Sequence, residues 1–545
     1  MAATSHTVTN QPPPLVGHDV FTSDRALAEA VERHLAPELL AEARDDLVVL
    51  GRAAGSAQVQ EWGERANARP PRLRTHDRYG HRIDEVEFDP AWHRLLGKSV
   101  GAGLTDAWGR PGGHVRRAAG FLVVSQAESG HGCPLSMTHA AVPALRAEPE
   151  VAEVWEPAAT SHVYEQGLRP VAEKPGVLLG MAMTEKQGGS DVRTNTTQAR
   201  PLAAAGEYVL TGHKWFCSAP MSDAFLVLAQ APAGLTCFLV PRVLADGSRN
   251  AFALQRLKDK LGNRSNASAE VEFDGTTWAR RIGEEGQGLR TVMGMVAATR
   301  LDCVLGSAAL MRQAVAQAVH HCAYRSAFGG PLIEKPLMRN VLADLALESE
   351  AATVLGLRLA AAYDADTPQE RALLRIAVPA AKYWVTKRCT PLVAEALECL
   401  GGNGYVEESG MPRLLRESPV NSVWEGSGNI QALDVVRALR TEPAALDALL
   451  REVGAARGAD HRLDRAIRGL LVELADLEGV EARARRLAER LALVLQGALL
   501  VRWAPPEVAD AFCAGRLGGD GGAAFGTLPH TLDLRALVER ARVEA

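Results

Sequence analysis

The sequence predicts a mainly α protein with a central antiparallel β-domain, sheet or barrel, and an extra helical block after the bundle. Three observations lead there. Long runs with helical periodicity occupy 91–165 and then 286–325, 335–363, 367–400 and 429–440. Between them, about a hundred residues carry short β-branched or aromatic runs bounded by Gly, Pro, Asp or Asn. The last hundred residues return to a helical pattern, broken at Pro505-Pro506 and across the Gly-rich stretch 518–526. The implied domains are 1–180 (an arm and a helical domain), 181–282 (β), 283–440 (a helical bundle) and 441–545 (the C-terminal helical domain).

In chain order, Pro12, Pro13 and Pro14 hold the first 20 residues extended. Thr22 or Ser23 is placed to cap a helix whose apolar face runs through Leu27, Val31 and Leu35. A hairpin is expected to turn at Tyr79-Gly80, and the helices that follow break at Gly112-Gly113 and near Gly130. The expected strands are 208–218, 224–229, 235–240 and 269–273, and the bundle is antiparallel. In the last block the expected helices are 446–453, 463–503 and 532–543.

At 545 residues, 47% apolar and 23% charged, the chain has the composition of a soluble globular protein with large cores. A net charge of −5 gives no overall pull toward nucleic acid or anionic membrane. No run reads as a bilayer span, and Met1–His6 lacks the basic-then-apolar order of a signal peptide. The eight cysteines are scattered with no C-x-x-C pair, which argues against a zinc site or disulfide framework and fits the reducing cytoplasm. From 440 onward there is no Lys, and 15 Arg face 16 Asp plus Glu. Arg462, Arg465 and Arg468 recur there every third residue, a solvated face by default and a phosphate-binding stripe in the sharper reading.

Five stretches hold residue types suited to a flat, phosphorylated ligand. Met183-Thr184-Glu185 with Gly188-Gly189-Ser190 sets hydroxyls and backbone N–H groups just before the sheet. Trp215-Phe216-Cys217-Ser218 ends a strand with an aromatic surface and a hydroxyl. Arg325-Ser326-Ala327-Phe328 lies at a helix end, where a cation suits either the helix dipole or a diphosphate. Gly401-Gly402-Asn403-Gly404-Tyr405 is either a helix C-cap or a backbone cradle. Trp424-Glu425-Gly426-Ser427-Gly428-Asn429 places one carboxylate between an indole and small residues, and desolvation by the indole makes a carboxylate a better base.

Singly each stretch is ambiguous. Together and in this order they resemble the acyl-CoA dehydrogenase flavoprotein family. Asn10-Gln11-Pro12, the run 183–192, the run 257–268, Trp424 and the C-terminal block resemble the branch of that family tied to the bacterial adaptive response to DNA alkylation. The resemblance implies FAD held between the β-domain and the bundle, with a neighbouring subunit completing the site in a homo-oligomer, a tetramer. Met183, Thr184, Gly189 and Ser190 would meet the flavin ring, and Trp215, Phe216 and Ser218 would cover it. Arg325, Phe328, Gly401, Gly402 and Gly404 would contact the ADP half from a partner subunit, with Trp424, Ser427 and Asn429 also against the cofactor. Glu425 matches the catalytic base. Some members carry the base instead as a Glu-Arg pair on the first bundle helix, which here reads Thr299-Arg300.

Two functions follow as expectations. The first is a flavoprotein of the alkylation-damage response that binds duplex DNA through Arg437, Arg462, Arg465 and Arg468. It would protect DNA or inactivate alkylating agents, with weak dehydrogenase activity toward acyl-CoA of the isovaleryl-CoA type. The alternative is a working acyl-CoA dehydrogenase that desaturates a short or branched acyl-CoA. Trp424 in place of the usual Tyr, and Glu398 in place of Gln before the Gly-Gly loop, depart from the dehydrogenase pattern.

Overall fold

The computed structural model describes residues 5–543 and is 57% helical. Contacts divide it into two compact units. One is Gln58–Asp302; the other joins the residues up to Ala57 with those from Cys303 onward.

The first of these units holds nearly all of helix Ala57–Ala68, then a hairpin, four further helices and the β-domain. Strands Arg72–His76 and Arg82–Glu87 form the hairpin, and helices Pro90–Gly101, Gly113–Ala127, Gly132–Leu145 and Pro149–Ala159 follow. The β-domain closes on itself. Ala224–Ala231 pairs antiparallel with Gly234–Pro241, which pairs with Ser268–Ile282, which pairs with Glu207–Ser218. Gln198–Pro201 then joins Glu207–Ser218 back to Ala224–Ala231 through the bridge Gln198–Gln230. Closure removes most exposed sheet edges. The sheet is not wholly antiparallel, because Leu179–Ala182 lies parallel to Ala224–Ala231. Its core is aromatic and aliphatic, with Tyr208, Phe225, Phe238, Phe252 and Phe273 at its centre.

Two buried carboxylates organise this unit. Glu128 accepts from the backbone N–H groups of Gly130 and His131, from the His131 ring and from the Ser265 hydroxyl, 2.6 Å away. Burial alone would raise its pKa. The His131 contacts and the Ser265 hydroxyl outweigh burial and bring it down to about 2. This explains two sequence features: Gly130 is glycine because a Cβ there would stand 1.9 Å from the Ser265 oxygen, and the run 257–268 supplies Ser265. The second carboxylate, Glu185, is fully buried opposite the equally buried Lys214 at 2.7 Å. Desolvation opposes its charge. Hydrogen bonds from Lys214 and from the Thr196 and Thr197 backbone prevail and hold it well below the usual carboxylate range.

The second unit is helical. Pro336–Ala365 and Pro368–Cys399 are its longest full members, and Gly428–Thr441 follows them. Helix Gly288–Tyr324 begins in the first unit and ends in this one. It is also a correction to the reading that no run could span a bilayer. By length and composition this 37-residue helix could, but 78% of its apolar window is buried in the protein, as in a core helix. The N-terminal helix Arg25–His34 is capped by Asp24, which accepts from Leu27 N–H at 3.2 Å, and not by Thr22 or Ser23. Asp24 serves because its carboxylate also faces Arg312.

The C-terminal residues form Pro443–Gly454, His461–Leu474, Ala484–Trp503, Pro506–Phe512 and Leu534–Ala541. The expected single helix over 463–503 is two, parted where Gly479 adopts φ +59°. Arg540 fastens the last helix by pairing with Glu29 and Glu350. All eight cysteines are buried free thiols.

Two predictions concern stability. Lys214→Met should destabilise the first unit by about 3–5 kcal/mol, because it leaves the Glu185 charge buried without its cation. Adding Glu185→Leu should recover much of that loss in chemical denaturation. In the second unit, His18 and His34 are both pushed down to about 4, first by burial and then by Arg312 and Arg33 respectively. The unfolded chain therefore binds more protons between about pH 4 and 6.5, so stability falls as pH drops through that window. A loss on the order of 2 kcal/mol per histidine is expected by pH 5. His18→Leu with His34→Phe should flatten the slope.

Candidate active site

In the first unit, the strand Glu207–Ser218 pairs with Ser268–Ile282 through one irregularity at Leu210/Thr211 and then in register from Thr211 opposite Asp274 to Lys214 opposite Val271. Pairing resumes at Cys217 opposite Ala269. One extra residue is accommodated in that interval, forming a bulge at Trp215 and Phe216. A bulge re-aims side chains. Here Phe216 is 51% exposed and Trp215 is half-buried, and neither joins the barrel core. Trp215 N–H donates to the Thr184 carbonyl at 2.9 Å, so the bulge and the Met183–Ser190 loop are tied together. Glu185 and Lys214 lie beneath this tie, one residue from each partner. Gly189 is compelled to be glycine, since a Cβ there would stand 2.4 Å from Thr184 Oγ1. Lys258 crowns Trp215, its Nζ 3.2 Å from the ring centroid and 2.6 Å from Glu270. Met183, Thr184, Gly189 and Ser218 are half-buried, and Ser190 is exposed. The predicted ring contacts of this unit thus gather around one aromatic bulge.

In the second unit, the short helical turn Ser418–Ser422 ends at Val423, and Trp424 Nε1 donates to Asn421 Oδ1 at 3.0 Å. Glu425 then takes φ +57°, a left-handed conformation that costs energy for any residue but glycine and clusters at functional sites. Two groups from outside the turn hold it there. Gln431 Nε2 donates to the carbonyls of Glu425 and Gly426 at 3.0 and 2.9 Å. Lys382, 1% exposed, donates to the Gly426 carbonyl at 2.8 Å. Ser427 starts the helix Gly428–Thr441 without a side-chain cap, and with Asn429 it faces solvent. At the alternative base position, Thr299 and Arg300 are buried, and the Thr299 hydroxyl bonds back to Val296.

Arg325 follows the last residue of its helix, Tyr324. Ser326 and Ala327 then pair with Pro331 and Gly330 around Phe328 and Gly329, both at positive φ (50° and 81°). These are the dihedral signs of a type I′ hairpin turn, with Phe where Asn is usual. The Phe328 side chain is 95% exposed. Of the three glycines predicted to meet the ADP half, Gly401 and Gly402 have open surroundings, and Gly401 takes the left-handed C-cap position at φ +59°. Gly404 differs: it is buried, and a Cβ there would lie 2.2 Å from the Leu397 carbonyl oxygen, so its constraint is internal packing. Glu398 is exposed, and among the described residues no arginine is seen to pair with it. Glu395, one turn before it, is pushed up by burial and by Glu398.

Taken unit by unit, the residues suit the two halves of a flavin dinucleotide. The aromatic bulge with its adjacent hydroxyls suits a flat polar ring. Open backbone at Gly401-Gly402 and the uncapped N-terminus at Gly428 suit phosphate oxygens. Sequence reasoning missed Lys382, Gln431 and the Glu185–Lys214 pair as a supporting set. A lone Lys within the apolar run Ile376–Val385 was the available signal for the first.

Among the predicted DNA contacts, Arg462 is engaged elsewhere. It pairs with Asp460, its own helix cap, at 2.6 Å and with Asp510 at 2.7 Å. The sequence concealed this because Asp510 lies 48 residues away. Arg437, Arg465 and Arg468 are exposed, and among the described residues only Arg437 of the three pairs with a carboxylate, Asp434 at 3.8 Å.

The chain matches three family models: the adaptive response protein AidB N-terminal domain over residues 10–166, the acyl-CoA dehydrogenase middle domain over 180–276 and the acyl-CoA dehydrogenase C-terminal domain over 286–440. It is 47% identical to AidB of Escherichia coli (strain K12), with 95% of each chain covered. It is 29% identical to acyl-CoA dehydrogenase family member 11 of Caenorhabditis elegans, with 89% of this chain and 84% of that one covered. The crystal structure of C. elegans ACDH-11 in complex with C11-CoA superposes with a TM-score of 0.84 at 26% identity, covering 95% of both chains. The chain therefore belongs to the acyl-CoA dehydrogenase family of FAD-dependent oxidoreductases, and within it to the AidB branch.

Proposed function

We propose that this chain is an AidB-type flavoprotein in which Glu425 is a base toward an acyl-CoA and the C-terminal helices bind duplex DNA. The observation that carries the first part is the Glu425 turn. A carboxylate is presented on a left-handed residue whose backbone is fixed by Lys382 and Gln431. FAD, when bound, supplies the two-electron acceptor. Glu425 would accept the proton from the carbon alpha to the thioester carbonyl, with Trp424 beside it limiting water and pocket width. Thr184, Trp215 and Ser218 would hold the flavin ring; Arg325, Gly401 and Gly402 would hold the diphosphate half of the FAD bound to a partner subunit. Exposed Phe328 and Tyr405, at 95% and 83%, are surfaces that a second copy in a homotetramer would cover. The buried thiols accord with a cytoplasmic setting. The FAD-loaded protein should desaturate a short, branched or medium-chain acyl-CoA. Glu425→Gln should lower that rate by about 10²–10⁴-fold with FAD content unchanged. An unaltered rate in the variant refutes the assignment.

The DNA part rests on the near full-length likeness to AidB and on exposed Arg437, Arg465 and Arg468. Its role would be protection of DNA, or destruction of alkylating agents near it. Affinity for duplex DNA should fall steeply with salt, and a chain ending at Arg440 should lose it. Arg465→Gln with Arg468→Gln should reduce the salt slope by about two, roughly one per phosphate contact. Arg462→Gln should instead lower stability. Binding that is independent of salt or of the C-terminal helices refutes this part.

A further inference from the structure

The N-terminal arm makes contacts that the proposed chemistry does not use. Asn10 clasps the backbone of Ser326 from both sides: its Nδ2 donates to the Ser326 carbonyl at 2.8 Å, and Ser326 N–H donates to its Oδ1 at 2.7 Å. Arg325 Nη1 in turn donates to the Asn10 carbonyl at 2.6 Å. The next residue reaches the other phosphate motif, with Asn403 Nδ2 donating to Gln11 Oε1 at 3.2 Å. The arm is itself anchored. The Pro13 carbonyl lies 2.8 Å from His320 Nε2, and Leu15 is buried against Ala316 and Val543. Asn10 holds φ +58°, which Asn tolerates better than most residues and β-branched residues avoid.

The N-terminal arm therefore links a helix end at Arg325 to a glycine loop at Asn403. We propose that Asn10-Gln11 is a positioning strap for the cofactor's diphosphate half, orienting Arg325 and holding the Gly401–Tyr405 loop beside it. The three prolines that follow limit the arm's freedom, so little conformational entropy is lost in keeping the strap closed. Neither Asn10 nor Gln11 need touch the cofactor; they act through Arg325 and Asn403. The inference rests on the assignment of FAD to these motifs.

The test is FAD affinity of the full-length chain, measured by titrating deflavinated protein, with thermal unfolding recorded on each variant. Asn10→Val removes both clasp and backbone conformation, whereas Asn10→Gly keeps the conformation and loses only the side chain. Arg325→Ala removes the group being positioned. Asn10→Val should weaken FAD binding by about three- to tenfold, the scale of one ordinary net hydrogen bond, and Asn10→Gly by less. The double variant with Arg325→Ala should bind no more weakly than Arg325→Ala alone, since both changes act on one element. Unfolding temperature should move little with Asn10→Gly. Two results overturn the strap while leaving the flavin assignment intact: wild-type protein that binds FAD with unchanged affinity in Asn10→Val, or losses that add fully in the double variant. Wild-type protein that binds no FAD overturns both.

Discussion

The candidate site depends on one buried cation. Lys382 is 1% exposed, and its ammonium donates to the carbonyl of Gly426, the residue after Glu425. An ammonium is expensive to remove from water, so a lysine placed there needs acceptors fixed in position. The turn provides one, and in return the turn cannot relax. Gln431, one turn into the following helix, binds the same carbonyl and that of Glu425. With both in place, a left-handed glutamate becomes the stable conformation of 423–428. Remove either, and the carboxylate loses the backbone that aims it.

A similar arrangement serves the β-domain. Lys214 and Glu185 sit beneath the point where Trp215 is tied to Thr184, and the sheet is bulged directly above them. In each unit a buried lysine lies beneath backbone that is strained or irregular, and the residues suited to the cofactor stand on that backbone. The chemistry is placed on rigid support, not on free loops.

How legible this was in the sequence varies with the range of the interaction involved. Long helices and the β-domain follow from periodicity, which is local, and Gly428–Thr441 begins within one residue of expectation. Cap identity failed at Thr22 and Ser23 because Asp24 is selected by Arg312, a partner nearly three hundred residues away. Arg462 read as a possible phosphate contact because a row of arginines carries no mark of which member has a distant carboxylate. Glu425 and the glycine motifs were visible through family resemblance. The bulge at Trp215-Phe216 was not, since register is set by the partner strand. Gly404 shows the same limit in a motif that was recognised: it belongs to the Gly-Gly-x-Gly pattern, yet its own reason for being glycine is the Leu397 carbonyl.

The central claim is that Glu425 removes a proton from the carbon alpha to a thioester. Its most direct test is isotope exchange, read apart from turnover. The FAD-loaded protein would be incubated without oxygen in D2O with a saturated acyl-CoA, and deuterium at the alpha carbon followed by NMR. The account predicts exchange with wild-type protein and its loss in Glu425→Gln, with ligand binding retained. Exchange that persists in the variant at the wild-type rate would contradict it, because the base would then lie elsewhere.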